Sequence, residues 1–149
     1  MKLIDIIDAT PIRFGYRIAF LTIFFREPLL KRMESEFGII RPEWTVLICL
    51  KFRDGLNARD ICEITEQPSN TISRAVTSLE RKGHIRSELD RDDARRKNLY
   101  LEPGGRTLYD QIMPMFEEGE EKLIRCLTDK ERRTLDYLLD KMARHVPNW

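Results

Sequence analysis

The sequence predicts a mainly α-helical fold with one small two-stranded β-ribbon. Three observations predict it. Apolar residues recur at helical spacing through most of the chain, this spacing gives way to two short strand-like runs only between residues 84 and 101, and prolines, glycines and short polar residues stand at helix-capping positions.

Thr10-Pro11 reads as an N-cap and first helical position, opening a helix that runs to about Glu36. Phe14, Tyr16, Ile18, Phe20, Leu21, Ile23, Phe24 and Phe25 lie nearly all round it, more than one packed face can bury. Pro28 should kink this helix and Gly38 end it. Pro42-Glu43 opens a second helix with Trp44, Leu47, Ile48 and Phe52 at core spacing, stopped at Asp54-Gly55. Asn57 can cap a short third helix, Ala58 to about Ile64, with Ile61 and Ile64 as its apolar positions. Pro68, at a first-turn position, starts a fourth, with Ile72, Ala75, Val76 and Leu79 at i, i+3, i+4 and i+7 and Gly83 as its stop.

The period then changes. His84 to Leu89 and Lys97 to Leu101 read as strands, with Ile85, Leu99 and Leu101 turned inward and a charged tip between them. Helix returns after Pro103-Gly104-Gly105 through Leu108, Ile112, Met115, Phe116, Leu123 and Leu127, with Pro114 set to bend or break it. Thr128 and Glu131 form a capping box for a last helix bearing Leu135, Leu138, Leu139 and Met142. This order is a winged helix-turn-helix at about residues 42–102, flanked by terminal helices at about 10–36 and 104–146, in one domain spanning 1–149. Neither terminal set has a partner of its own, which points to pairing across a homodimer.

The composition suits that fold: 149 residues, 42% hydrophobic and 34% charged, with a net charge of +1. A disordered chain is excluded by the apolar content, and a membrane span by the lack of any long uncharged apolar run. No signal-peptide pattern is present, and three widely spaced cysteines (Cys49, Cys62, Cys126) imply no disulfide framework, so the cytoplasm is the expected compartment. Each cysteine lies beside apolar residues and reads as a small hydrophobe. The only histidines are His84 and His145, and no metal-ligand cluster, phosphate loop or nucleophile motif appears, so neither an enzyme nor a metal or other cofactor is expected.

Near-neutral charge at first argues against a nucleic-acid partner, but it is an average. Residues 1–67 hold 10 basic and 10 acidic residues, residues 68–106 hold 9 and 6, and residues 107–149 hold 7 and 9. The excess of cations therefore falls on the fourth predicted helix and the ribbon, where phosphate contacts can supply sequence-independent affinity. That helix carries short hydrogen-bonding residues on its polar side, Ser69, Asn70, Thr71, Ser73, Thr77 and Ser78, with Arg74 and no acid before Glu80. Short side chains let a helix approach a groove closely, and Arg74 can reach guanine and Asn70 adenine. At the ribbon tip Arg91, Arg95, Arg96 and Lys97 alternate with acids, one of which can lock the turn by pairing with an Arg and so orient a second Arg outward.

Leu79-Glu80-Arg81-Lys82-Gly83-His84-Ile85-Arg86, Asp93-Ala94-Arg95-Arg96 and Leu99-Tyr100-Leu101-Glu102-Pro103-Gly104-Gly105 resemble the MarR family of transcriptional regulators. Pro42-Glu43-Trp44-Thr45-Val46-Leu47 and Leu127-Thr128-Asp129-Lys130-Glu131 fit the same family, so the resemblance covers essentially the whole chain. It implies a homodimer built from the first and last helices on a pseudo-palindromic DNA operator, a repressor released by a small-molecule effector. It implies that the fourth helix enters the major groove and that a wing arginine, matched by Arg95 and positioned by Asp93, enters the minor groove. Members often bind aromatic acids between the dimer helices and the DNA-binding lobe, and Arg13, Tyr16, Arg17, Phe20 and Trp44 can line such a cleft. The reactive cysteine of peroxide-sensing members, near the start of the first helix, has no counterpart here. The chain departs from the family at Glu102, where members usually carry the better N-cap Thr. The competing expectation is a winged-helix module that binds protein and not DNA, which the acid-poor fourth helix disfavours.

Overall fold

The computed structural model describes residues 1–149. In chain order the elements are α1 (Leu3–Asp8), α2 (Phe14–Phe37), α3 (Arg41–Phe52), α4 (Ala58–Thr65), α5 (Ser69–Arg81), β1 (Ile85–Leu89), β2 (Lys97–Leu101), α6 (Pro103–Ile124) and α7 (Asp129–His145), closed by a 3-10 turn at Val146–Asn148. The expected fold class, mainly helical with one small ribbon, is borne out. No helix is long and apolar enough to cross a membrane. The chain forms two compact units, residues 26–116 and residues 1–25 with 117–149.

The 26–116 unit holds the core. Val46, Leu47 and Leu50 of α3, Ile61 of α4, and Ile72, Ala75 and Leu79 of α5 meet there, with Ile85, Leu99 and Leu101 of the ribbon beneath them. Burying each large aliphatic side chain contributes roughly 1.5–3 kcal/mol. Trp44 stacks between Tyr109 and Phe116, each ring 5.3 Å away, and so fastens α3 to α6. The strands pair antiparallel, Ile85 opposite Leu101 and Leu89 opposite Lys97. A third stretch of backbone joins β2 on its other side, since the Gly55 N–H donates to the Leu99 carbonyl and the Leu99 N–H to that of Leu56, both at 2.8 Å.

The ends of these elements follow from local chemistry. Asn57 and Asp60 cap α4 reciprocally: the Asp60 N–H donates to Asn57 Oδ1 at 2.9 Å, and the Asn57 N–H to Asp60 Oδ2 at 3.1 Å. Gly83 leaves α5 at φ 77°, a left-handed conformation that glycine adopts without strain. Between α4 and α5 the chain turns on Glu66, at φ 55°, with no glycine present. Gly105, in the first turn of α6, lies against the His84 carbonyl so closely that a methyl group there would overlap it.

Several expectations are corrected. The first long helix begins at Phe14 and not at Pro11, and a short helix α1 precedes it. Thr10 serves α1 instead of capping α2, its hydroxyl donating to the Ile7 carbonyl at 2.8 Å and accepting from the Ile12 N–H at 3.3 Å. Pro28 and Pro114 lie inside α2 and α6, and both helices run on past them, so the break entertained at Pro114 does not occur. A proline removes one of many ladder bonds, which helices of 24 and 22 residues survive. Phe52 and Ile64, expected in the core, are 76% and 57% exposed, because each sits in the last turn of its helix, beyond the packed face. Pro68 is the N-cap of α5 and not its first helical residue. Pro103, Gly104 and Gly105 form the first turn of α6 instead of preceding it, and the Glu102 carbonyl accepts from the Gly105 and Arg106 N–H groups despite the weak capping side chain. Cys126 is exposed in the turn after α6, not packed on a helix.

The other unit has almost no core of its own: Ile7 is its one buried residue, and α7 buries none. The N-terminus of α7 is nonetheless well capped, with Thr128 Oγ1 accepting from the Glu131 N–H at 3.2 Å and Glu131 accepting from the Thr128 N–H at 2.9 Å. Apolar residues of this unit, Ile18 and Leu21 of α2, Leu123 of α6, and Leu138, Leu139 and Met142 of α7, remain exposed. Several of them line an apolar groove of about 730 Å³ with Phe25, Leu127 and Leu135.

Gly105→Ala is expected to destabilise the chain by about 3 kcal/mol or more, the upper end of overpacking costs, because backbone and not a flexible side chain must move. A urea unfolding midpoint unchanged from wild type would contradict this packing.

Candidate nucleic-acid interface

The face of α5 opposite the core is polar and open. Ser69, Asn70, Ser73, Arg74 and Thr77 are exposed, while Thr71 is half-buried beside the buried Ile72, Ala75 and Leu79. Thr77 Oγ1 donates back to the Ser73 carbonyl at 3.0 Å, and Asn70 Oδ1 accepts from the Thr71 N–H at 3.0 Å, so both side chains lie close along the helix. The Arg74 guanidinium makes no ion pair. The first turn contains no acid.

What aims this face is a residue the sequence pattern did not single out. Glu43, only 3% exposed, accepts from Lys82 Nζ at 2.8 Å and Ser78 Oγ at 3.1 Å through one oxygen, and from the Ile40 N–H at 3.2 Å through the other. Lys82 Nζ also donates to the Gly38 carbonyl at 2.9 Å. Ser78 and Lys82 are thus structural, although both belong to the polar, basic segment. The available signal was Glu43's place at a capping-box position three residues after Ile40.

His84 follows α5, and its Nδ1 is buried without a hydrogen-bond partner. Burial pushes its pKa below the ordinary imidazole value, the Lys82 ammonium adds to that, and Glu43 partly opposes it.

The wing tip is locked through its backbone. Asp90 Oδ1 accepts from the N–H groups of Asp92 at 2.8 Å and Asp93 at 3.3 Å, while Oδ2 accepts from Asn98 Nδ2 at 3.1 Å. These bonds, the Asp92 N–H foremost, hold the Asp90 carboxyl below its usual pKa, so the lock persists until pH falls well into the acid range. Asp93 does hold Arg95, but by accepting its backbone N–H at 3.0 Å and not by pairing with its guanidinium. The side chains of Arg91, Arg95 and Lys97 are exposed and unpaired, whereas Arg96 reaches α4 and lies 3.3 Å from both Asp60 carboxylate oxygens. Arg86 is engaged elsewhere, with Glu88 at 3.1 Å, Glu102 at 3.3 Å and the Tyr100 ring at 4.9 Å.

The residues expected to receive an effector are placed unevenly. Trp44 is committed to its aromatic stack in the core, and Arg17 pairs with Asp8 at 2.6 Å. Phe20 packs on Phe24 at 4.7 Å, and Arg13 and Tyr16 are exposed.

A family model described as MarR family matches residues 37–96, from the end of α2 to the wing tip. The HTH-type transcriptional regulator YwaE of Bacillus subtilis is 27% identical over 135 residues, covering 87% of this chain and 79% of the relative. A MarR-family regulator structure from Silicibacter pomeroyi superposes with a TM-score of 0.73 at 25% identity, covering 85% of each chain. A structure of S. aureus MepR in complex with DNA superposes with a TM-score of 0.73 at 26% identity, covering 89% of this chain and 96% of that one. The chain belongs to the MarR family. As a MarR-family transcriptional regulator it carries a DNA-binding winged helix-turn-helix, in which α4 and α5 form the helix pair and β1 and β2 the wing.

Two measurements test this framework. Glu43→Ala strips one acceptor from Ser78, Lys82 and the Ile40 N–H together, and should cost about 1–3 kcal/mol in urea unfolding, since Lys82 can return to solvent. For His84, the unfolded chain binds more protons than the folded one between the lowered pKa and the ordinary value of 6.5. Stability should therefore fall on acidification through that window, with a lower thermal midpoint at about pH 5.5 than at about pH 7.5, and His84→Phe should lessen the drop. An identical pH profile for the variant would remove His84 from the account.

Proposed function

We propose that this MarR-family chain is a homodimeric repressor that reads a pseudo-palindromic operator and is released by a small molecule. The observation that carries the proposal is the exposed row Asn70, Ser73, Arg74 and Thr77 on a helix whose opposite side is locked into the core. In this reading α5 enters the major groove, with Ser69 and Thr71 near the phosphates at its start. Arg95 enters the minor groove from a tip held by Asp90 and Asp93, and Arg91, Arg96 and Lys97 lie along the backbone. A MepR–DNA complex of the same fold supports this use of the lobe.

Dimerisation is supported by the other unit. A unit that buries a single residue and presents an apolar groove gains stability from a second copy, whose matching surface from the helices at about 10–36 and 104–146 is the same. An acidic effector would meet the free Arg13 beside Tyr16, with Arg17 available once Asp8 releases it and Phe20 adjacent on the same helix. A regulator of this kind works in the cytoplasm, where its DNA is.

Selection of bound sequences from a random duplex pool should return a two-fold symmetric site with half-sites about one helical turn, ~10 base pairs, apart. On that site Arg95→Ala should weaken binding strongly while gel filtration shows the same oligomer, and Arg74→Ala should relax preference at one base pair by about 1–3 kcal/mol. Recovery of no preferred sequence, or full affinity in the Arg95 variant, would refute the assignment.

A further inference from the structure

We propose that the cleft between α4 and the wing is a seat for the DNA phosphate backbone, which the protein keeps neutralised with its own carboxylates until DNA displaces them. The proposal rests on the DNA-binding function above and extends it to α4, which that function did not use.

The cleft has a volume of about 600 Å³. Four cations line it from two elements, Arg59 of α4 and Arg95, Arg96 and Lys97 of the wing, and three acids stand among them, Asp60, Glu63 and Asp93. Two of the cations are already occupied. Arg59 Nε lies 2.9 Å from Glu63 Oε1, and Arg96 lies 3.3 Å from each Asp60 oxygen. The cleft is therefore close to neutral although it is built of arginine.

The pairing is easily exchanged. Arg59 and Glu63 are 87% and 63% exposed, and an exposed pair on one helix turn adds little to stability and is screened by salt. A phosphodiester presents the same anionic oxygens to a guanidinium, with one gain that Glu63 cannot match: each neutralised phosphate releases condensed counterions to bulk solution. Because the cleft shares Arg95 with the proposed minor-groove contact, it opens on the face the duplex would occupy. A backbone strand passing from the groove read by α5 to the groove entered by the wing would cross it.

The two acids differ in what else they do. Asp60 also caps α4 through the Asn57 N–H, so its loss perturbs the fold as well as the charge. Glu63 makes no hydrogen bond or ion pair besides that with Arg59, so its charge acts on the cleft without holding the fold elsewhere. Removing it should strengthen DNA binding, an outcome that a purely structural ion pair would not produce.

The test uses the full chain with two duplexes, the selected operator and a mixed-sequence duplex of about three helical turns, titrated between about 50 and 200 mM salt. Glu63→Gln should tighten binding to both by a similar factor of several-fold at the lower salt. Arg59→Gln should weaken both alike and flatten the slope of log affinity against log salt by about 0.9, one phosphate's worth, while Arg59→Lys retains the slope. If both glutamine variants bind as wild type while Arg95→Ala still weakens binding, the cleft is no phosphate seat and the proposed function stands without it. A change confined to the operator duplex would likewise overturn the proposal, since a backbone seat is blind to sequence. Should the wild-type chain bind neither duplex, the DNA-binding function fails first and the seat falls with it.

Discussion

A single buried carboxylate sets the geometry on which the DNA-binding lobe depends. Apolar packing of α5 against α3 tolerates small slides and rotations, because hydrophobic contact is not directional. Glu43 is directional. Taken out of water, it must have its lone pairs filled, and the donors come from Ser78 and Lys82 on α5 and from the backbone at the start of α3. Lys82 extends the tie to the Gly38 carbonyl, at the end of α2. One rotation of α5 satisfies all of these donors at once, and that rotation turns Asn70, Ser73, Arg74 and Thr77 to solvent.

The wing uses a different device for the same end. Its tip is held by short acids bonding to backbone N–H groups, Asp90 to Asp92 and Asp93, and Asp93 to Arg95. Salt bridges between side chains would have fixed the loop too, but by consuming the guanidinium groups. Bonding the backbone leaves Arg91 and Arg95 unpaired on a rigid turn, so less ordering is needed when they meet a partner. The acids at this tip, which look misplaced beside a polyanion, are what make its cations available.

Much of this is legible in the amino-acid sequence alone. The change of period at His84 located the ribbon, Asn57 and Thr128 marked their helices by capping chemistry, and the acid-poor polar side of α5 stood out by composition. Other features carried no such signal. The helix α1 is only six residues long, too short for a repeating pattern, and Thr10 beside a proline imitates the start of α2 while its hydroxyl finishes α1. Phe52 and Ile64 keep helical spacing and still miss the core, because spacing gives direction and not the extent of the packed face. The turn between α4 and α5 runs through a left-handed Glu66 where a glycine would have announced it. Glu43 reads as an ordinary capping acid, and Asp60 lies 36 residues from Arg96, so their tertiary partners follow from no local rule.

The scarcity of burial in the unit formed by both chain ends has a consequence for control. With Ile7 alone buried there, the apolar residues that this unit draws from α2, α6 and α7 stay exposed in the single chain. In the proposed homodimer the species that reads DNA forms in proportion to the square of the free chain concentration while chains are scarce. Operator occupancy would then rise more steeply than expression itself. A modest change in how much of this chain the cell makes would then become a sharper change in how much of the operator is occupied.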